Sequence, residues 1–360
     1  MSPIFAPLRF PAYRRVWLAN LASNAGTWLH VVAAGWLIFK ITGSPAAVGA
    51  LAMVTRGPAI VLSTVAGDLA DRFDRQRVGI VMFSLQAVAA GALAVVTWLA
   101  GPSLPAIYGL TFVTGVGFAL SLPALLALLP ALVPRDQLSG AVSLNAAGIN
   151  VARVVGPAIG GTMLALAGPE YCFAVNAVSF SALVVTLTIV SPRPVVRSGS
   201  PLTMRQALTH AGRDPAIRRL LIGMAVFVGL AAPMQELAPV VADRLEAGPQ
   251  GLGALLGAMG GGALVGAWAL ERLGQAGVPR HLALPAASIF FSVGLIGVAL
   301  SPYLALTLVA GLVAEQIGIR WSLGLCAGLL ALWGAWSVRH TVPEIDRPPP
   351  REPLGAGGEA

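Results

Sequence analysis

Charge is what this sequence is shortest of. Only 11% of its 360 residues are Asp, Glu, Lys or Arg, where a soluble globular domain carries about 25%. With 56% hydrophobic residues and a mean hydropathy of +0.80, that scarcity excludes a water-soluble fold and describes a chain lying mostly in lipid. Lysine is nearly missing. Lys40 is the single one, so the net charge of +8 is carried by arginine. In a soluble protein this balance would suggest nucleic acid. Here the arginines gather in short loops between apolar runs, as in cytoplasmic loops of membrane proteins, and no nucleic-acid partner is expected. Cys172 and Cys326 each sit in an apolar run without metal-like spacing, which makes them core filler. No Walker phosphate loop is present, so ATP is not the direct energy source. No Ser/His/Asp grouping, paired acids or metal cluster stands out, so neither an enzyme nor a bound cofactor is expected. Arg9, Arg14 and Arg15 precede a first apolar run that is too long for a signal-peptide core.

What is present is a series of apolar runs. A helix needs about 20 such residues to cross a bilayer, and lipid enforces helix because the backbone there must satisfy its own hydrogen bonds. The runs predict an all-α polytopic membrane protein of about ten spans, near 16–39, 46–66, 78–100, 104–130, 138–166, 171–190, 218–240, 250–270, 282–300 and 320–338. A polar, basic loop over 191–217 separates a six-helix N-terminal half, 1–190, from a shortened C-terminal half, 218–338. A Pro-rich tail, 339–360, should be disordered. With the N-terminus inside, eighteen arginines fall in inside segments. Lys40, Arg244 and Arg320 fall outside, and Arg56 and Arg153 lie within spans. That asymmetry predicts a multi-pass membrane protein with both termini cytoplasmic.

One stretch breaks the apolar pattern. GDLADRFDRQRV, Gly67 to Val78, carries six charges in twelve residues between spans 2 and 3. Positive-inside topology explains its arginines but not Asp68, Asp71 and Asp74. Aspartate at a helix mouth can cap the next helix, and Asp–Arg alternation can bridge helix ends. The spacing Gly67-x-x-x-Asp71-Arg72-x-x-Arg75-x-Arg77 resembles the signature loop of the major facilitator superfamily. Gly156-Pro157-x-x-Gly160-Gly161 is similar to the end of that superfamily's antiporter motif, although Ser143 and Ala152 stand where glycine is usual. Phe10-x-x-Tyr13-Arg14 and Asn145 to Gly161 look like bacterial drug and siderophore exporters within it. The resemblance implies a bundle of two six-helix halves, alternating access, a small-molecule substrate and protons as the coupling ion. It also implies that Gly67, Asp68, Asp71, Arg72, Arg75 and Arg77 form a gating loop.

Such halves should repeat. Asp68 ends span 2 and Glu271 ends span 8, 203 positions apart, and spans 1 and 7 and spans 3 and 9 start within one residue of that separation. The repeat then fails, because the last helix ends too early by two helices and their loops. The resemblance identifies the missing pair as helix 10 and most of helix 11, with Val313-Ala314-Glu315-x-x-Gly318 similar to the outer end of helix 11. The run 303–313 is apolar but too short to span. The incomplete flank is one that lipid or a second copy of the chain could cover.

Two further patterns bear on function. Gly148, Ala152, Gly156 and Gly160 recur four apart in span 5, and Gly253, Gly257 and Gly261 do so in span 8. Small residues at that spacing let helix backbones approach, so these stripes, with Pro157 and Gly161, are the expected helix-packing residues. Ionisable groups inside spans are costly and mark function. Arg56, Arg153 and Glu236 are the three, and Asn145, Asn150 and Gln235 are polar companions on a substrate or proton pathway. Asn150 and Arg153 share a helix face. His30 reads as a satisfied core residue. Burial disfavours a carboxylate unless a cation lies close, which makes Glu236 the expected proton carrier. The expected function is proton-coupled efflux of a small molecule. The rival is a truncated, non-transporting protein, a relic or sensor that keeps the fold.

Overall fold

A computed structural model of the chain describes residues 3–192 and 235–275, and among these residues every regular element is helical. After a short 3-10 turn at Pro3–Arg9 come α1 (Pro11–Thr42), α2 (Pro45–Val61), α3 (Ser63–Arg72), α4 (Arg75–Ala100), α5 (Leu104–Leu132), α6 (Leu138–Leu166), α7 (Pro169–Ile189), α8 (Ala238–Arg244) and α9 (Gly248–Gln275). Proline stands in the first turn of α1, α2, α5, α7 and α8, where its missing N–H costs nothing and its fixed φ suits the helix. Gly43 closes α1 at φ 63°, and its N–H bonds the carbonyl of Phe39, a left-handed cap that glycine adopts without strain.

Five described helices are long and apolar enough to cross a membrane: α1, α4, α5, α6 with its preceding turn, and α7. At 17 residues α2 is shorter. Their outer surfaces are apolar as well. Ile60, Val88, Trp98 and Leu166 are each at least 70% exposed, a liability in water and the norm against lipid tails. The spans expected at 282–300 and 320–338, the run 303–313, nearly all of the central loop, the tail and the missing helix pair lie outside the described residues.

Three boundaries differ from the sequence reading. Span 2 is two helices rather than one. Pro58 lacks the N–H that would bond Val54, and one turn later the chain bends at Leu62 (φ −91°, ψ 3°) before α3 begins. The charged stretch is therefore helical as far as Arg72, and only Phe73 and Asp74 separate α3 from α4. Residues 218–234 of span 7 lie outside the described residues; from Gln235 on the chain turns at Leu237 and is helix again to Arg244, four residues beyond the expected end.

The described helices belong almost wholly to one compact unit, Met1–Leu202 with Pro233–Val265. Its core lies where α1, α4, α5, α6 and α7 converge, with Tyr13, Phe83, Leu125, Leu144, Phe180 and Leu183 buried together. Polar side chains fix helix directions. Gln76 at the start of α4 bonds the carbonyls of Leu187 and Val190 at the end of α7, so these two run antiparallel. Tyr108 at the start of α5 donates to Ala47 at the start of α2 (2.8 Å), so those run parallel. Gly115 of α5 backs onto the carbonyls of Val54 and Thr55, the place where Pro58 has freed an acceptor.

Candidate functional site

Arg56 and Glu236 are 180 positions apart in sequence and in direct contact. The Arg56 guanidinium donates from Nε to one carboxylate oxygen at 2.8 Å, and Nη2 lies 2.7 Å from the same oxygen. Both side chains line a cavity of ≈ 40 Å³. Its polar walls are His30 from α1, Thr55 and Arg56 from α2, Thr111 from α5, and Gln235 and Glu236 ahead of α8. Val48, Leu51, Leu252 and Leu256 supply much of the apolar remainder.

Exposure falls steadily across this group. The Arg56 side chain is 56% exposed and Glu236 19%, while His30 is 4% exposed. An arginine held in hydrocarbon costs about 2.5–3.5 kcal/mol, and Arg56, more than half exposed, is paired with Glu236. An exposed ion pair is worth about 0.2–1 kcal/mol.

His30 departs from the sequence reading of a satisfied core residue. Its Nε2 pairs with Thr111 Oγ1 at 3.1 Å, and Phe173 packs edge-on against the ring at 5.0 Å between centroids. Its Nδ1 is buried and has no hydrogen-bond partner among the described residues.

The other expected pathway residues do not join this cavity. Asn145 is buried between α1 and α6, where its Oδ1 accepts from Asn20 Nδ2 at 3.1 Å. Asn150 is half-buried and donates to Ala146 of its own helix. Arg153 is exposed on α6, with no acidic partner among the described residues.

The glycine stripes sort differently from their spacing. Gly148, Gly156 and Gly160 of α6 face α1, against Trp17, Trp28 and Leu29. The neighbouring positions face α9. A Cβ on Gly253 would lie 2.6 Å from the Pro157 carbonyl and 3.0 Å from Gly161 Cα. One on Gly257 would meet the Val154 carbonyl at 3.2 Å, and one on Gly260 the Arg153 carbonyl at 2.9 Å. Gly261 meets nothing within 4 Å among the described residues. Gly253 and Gly257 of the expected stripe thus meet α6, and Gly260, which the four-residue spacing did not single out, meets it as well.

In the charged stretch, Asp74 Oδ1 accepts from the Arg77 N–H at 2.8 Å and caps α4. Arg75 Nη1 reaches the Ala127 carbonyl of α5 at 2.8 Å. Gly67 lies in α3 with open space around it among the described residues. The side chains of Asp68, Asp71 and Arg72 lie outside the described residues.

A second ion pair was not anticipated. Lys40 Nζ, 5.0 Å above the Trp36 ring, bonds Asp243 Oδ1 at 2.7 Å. These residues are 203 positions apart, the repeat length read from Asp68 and Glu271. Two opposite charges at the expected repeat separation therefore meet at the ends of α1 and α8. That match was available in the sequence.

A family profile described as transmembrane secretion effector matches residues 2–310. The chain is 31% identical over 293 residues to the enterobactin exporter EntS of Shigella boydii serotype 18 (strain CDC 3083-94 / BS512), covering 80% of this chain and 70% of that one. EntS of Escherichia coli O139:H28 (strain E24377A / ETEC) matches to the same extent. Among solved structures, a bacterial homologue of the human lysosomal transporter Spinster, inward-facing and occupied, has a TM-score of 0.64 at 15% identity, covering 92% of this chain and 74% of that one. An inward-facing bacterial homologue of the iron transporter ferroportin has a TM-score of 0.59 at 16% identity, covering 92% and 84%. At these identities the solved structures show the fold alone, while the profile and the sequence relatives show kinship. The motifs, the all-helical bundle and these matches agree: the chain belongs to the transmembrane secretion effector family of the major facilitator superfamily, whose members are membrane transporters and not enzymes.

Proposed function

We propose that this chain exports a small molecule across the bacterial inner membrane by alternating access, driven by protons that bind at Glu236. The observation that carries the reading is the Arg56–Glu236 pair at 2.7 Å in a cavity between α2 and the segment ahead of α8. Protonating the carboxylate removes the charge that holds Arg56, so proton binding and helix separation become one event. Arginine itself stays protonated and serves as the fixed countercharge. With both termini cytoplasmic, the Lys40–Asp243 pair and the Gly161–Gly253 approach lie toward the outer face. The protein is then closed outside and ready to load from the cytoplasm. Asp68, Asp71 and Arg72 are the proposed latch for the opposite, inward-closed state.

Inverted membrane vesicles test this. Enterobactin, the compound in the relatives' name, is the first substrate to assay, with and without a pH gradient. Glu236→Gln should abolish gradient-driven export while leaving substrate binding intact. Export by that variant with an unchanged pH profile removes Glu236 from coupling. A wild-type protein that binds substrate and never moves it favours the non-transporting reading. Asp71→Asn should change cysteine accessibility from the cytoplasmic side, and unchanged accessibility leaves the loop as a topological anchor.

A further inference from the structure

We propose that Arg9, Arg14 and Arg15 form a binding site for the phosphate of an anionic phospholipid, at the membrane edge where α1 begins. The proposal does not depend on which compound is transported or on how transport is driven.

The sequence gathers charge of one sign here. No Asp or Glu occurs before Asp68, and the three arginines fall within seven residues. All three are exposed. The ion pairs among the described residues are Lys40–Asp243 and Arg56–Glu236, so none of the three has an acidic partner there.

A solvated tail would satisfy positive-inside topology without fixing where its arginines stand. This segment fixes them. In the 3-10 turn Pro3–Arg9, Pro7 is buried. Leu8 and Phe10 pack against the core cluster that holds Leu132, Val133 and Ala141. The Phe10 N–H donates to the Pro7 carbonyl at 3.1 Å, and the Arg14 N–H to the Phe10 carbonyl at 2.9 Å. The turn therefore runs into α1 without a spacer, and Arg9 is held beside the helix that carries Arg14 and Arg15. α6, against which the turn packs, is preceded by Arg135 and Asp136. Asp136 accepts from Gln137 Nε2 at 2.9 Å, and with Arg135 beside it adds no net charge.

The depth suits a headgroup. α1 has 32 residues, about 48 Å at 1.5 Å per residue, and the hydrocarbon core of a bilayer is about 30 Å thick. The ends of α1 therefore stand among headgroups. Arg14 and Arg15, then Leu18, then Ala22 follow one another at three- or four-residue steps on one exposed face. Leu18 meets acyl chains where the arginines one turn away meet phosphate, and Phe5 is a further exposed apolar side chain on the turn. Guanidinium carries paired N–H donors that match two phosphate oxygens. Three of them exceed what one phosphate can accept, so a lipid with two phosphates should bind more tightly than a lipid with one. Such a lipid fastens α1 at the end where it is keyed to α6.

The test uses the full-length protein and needs no transported compound. Native mass spectrometry in detergent counts bound lipids as phosphatidylglycerol, cardiolipin or phosphatidylcholine is titrated in. Saturable binding of both anionic lipids is expected, with cardiolipin the tighter. Each arginine replaced by Gln should weaken phosphatidylglycerol binding about fivefold, which corresponds to about 1 kcal/mol. Arg9→Gln, Arg14→Gln and Arg15→Gln together should remove a preference over phosphatidylcholine of about a hundredfold, the three contributions compounded. Folding is not at risk, because the side chains are exposed and cations in the first turns of a helix oppose its dipole. Thermal unfolding of the triple variant without anionic lipid should match wild type. Arg244, exposed at the end of α8, lies outside the site, and Arg244→Gln should leave binding unchanged. Equal affinity for phosphatidylglycerol and phosphatidylcholine overturns the proposal, and so does an unaltered preference in the triple variant. A loss in Arg244→Gln as large as in Arg14→Gln overturns it as well, since the attraction is then one of bulk charge. Dimers present in the wild type and lost in the triple variant would assign this face to a second copy of the chain instead of a lipid.

Discussion

The two faces of α6 use glycine in opposite ways. Toward α1, side chains fill the hollows: Trp17 lies over Gly148 and Trp28 over Gly156. That face is also pinned by hydrogen bonds, from Tyr13 to the Ala141 carbonyl (2.7 Å), Trp17 to the Leu144 carbonyl (3.0 Å) and Asn20 to Asn145 (3.1 Å). Toward α9, backbone lies on backbone, with Gly161 against Pro249 and Gly253, and no side-chain hydrogen bond crosses the seam among the described residues. Hydrogen bonds and keyed aromatics fix register. A smooth glycine surface holds helices close and leaves them able to slide. One helix thus carries a keyed joint on one side and a smooth joint on the other, and under the proposed alternating access the smooth side, toward α9, is the one expected to move.

The smooth joint is the place for the largest effect. Gly253→Val would set its Cβ 2.6 Å from the Pro157 carbonyl and 3.0 Å from Gly161 Cα, and neither is a flexible side-chain end that can yield. The closed arrangement should be lost and vesicle transport should fall by tenfold or more, which corresponds to about 1.4 kcal/mol. Circular dichroism and thermal unfolding should remain close to wild type, because the keyed joint is untouched. If Gly253→Val instead unfolds the protein, both joints are structural and the contrast between them is broken.

The keyed joint should show the reverse. Gly156→Ala would place its Cβ 2.6 Å from Trp28 Cβ, an overpacked contact of the kind that costs about 1–3 kcal/mol. Unfolding should occur at a lower temperature, while transport per folded molecule is retained. Tyr13→Phe sharpens the same point with a smaller change. It removes the 2.7 Å bond to Ala141 at about 0.5–1.5 kcal/mol and leaves a carbonyl short of a partner. Stability should drop measurably in detergent without a change in pH profile.

Much of this was legible in the chain. Apolar runs gave the spans of α1, α4, α5, α6 and α7, and Asp74 stood where an N-cap is needed. The glycine spacings pointed to close helix approach, and Arg56 and Glu236 were flagged by their cost in lipid. Other features depended on three-dimensional placement. Spacing alone could not say which neighbour each glycine meets, since α6 carries glycines toward two helices at once. The partnership of Arg56 with Glu236 is a contact across 180 positions, which no local pattern encodes. The open Nδ1 of His30 depends on which nitrogen Thr111 takes. Proline left a more readable trace. Pro157 frees the Arg153 carbonyl as Pro58 frees that of Val54, and a glycine of the neighbouring helix, Gly260 or Gly115, covers each.

That last pattern yields the smallest and most discriminating prediction. Gly260 and Gly261 are adjacent in one helix, so their intrinsic gain on becoming alanine is the same, about 0.8–1.0 kcal/mol in a helix interior. Their surroundings differ. A Cβ on Gly260 would press on the Arg153 carbonyl at 2.9 Å and on Val154 Cα at 3.0 Å, and one on Gly261 meets nothing within 4 Å among the described residues. The helical gain is opposed by backbone crowding at the first position and unopposed at the second. Gly261→Ala should therefore raise the unfolding temperature slightly and leave transport unchanged. Gly260→Ala should show no such gain and should slow transport by pushing α9 off the freed carbonyl. A single-residue step along the helix would then separate the sliding face from its neighbour. Identical behaviour of the two variants would mean that α9 does not bear on α6 at Gly260, and that the smooth joint ends at Gly257.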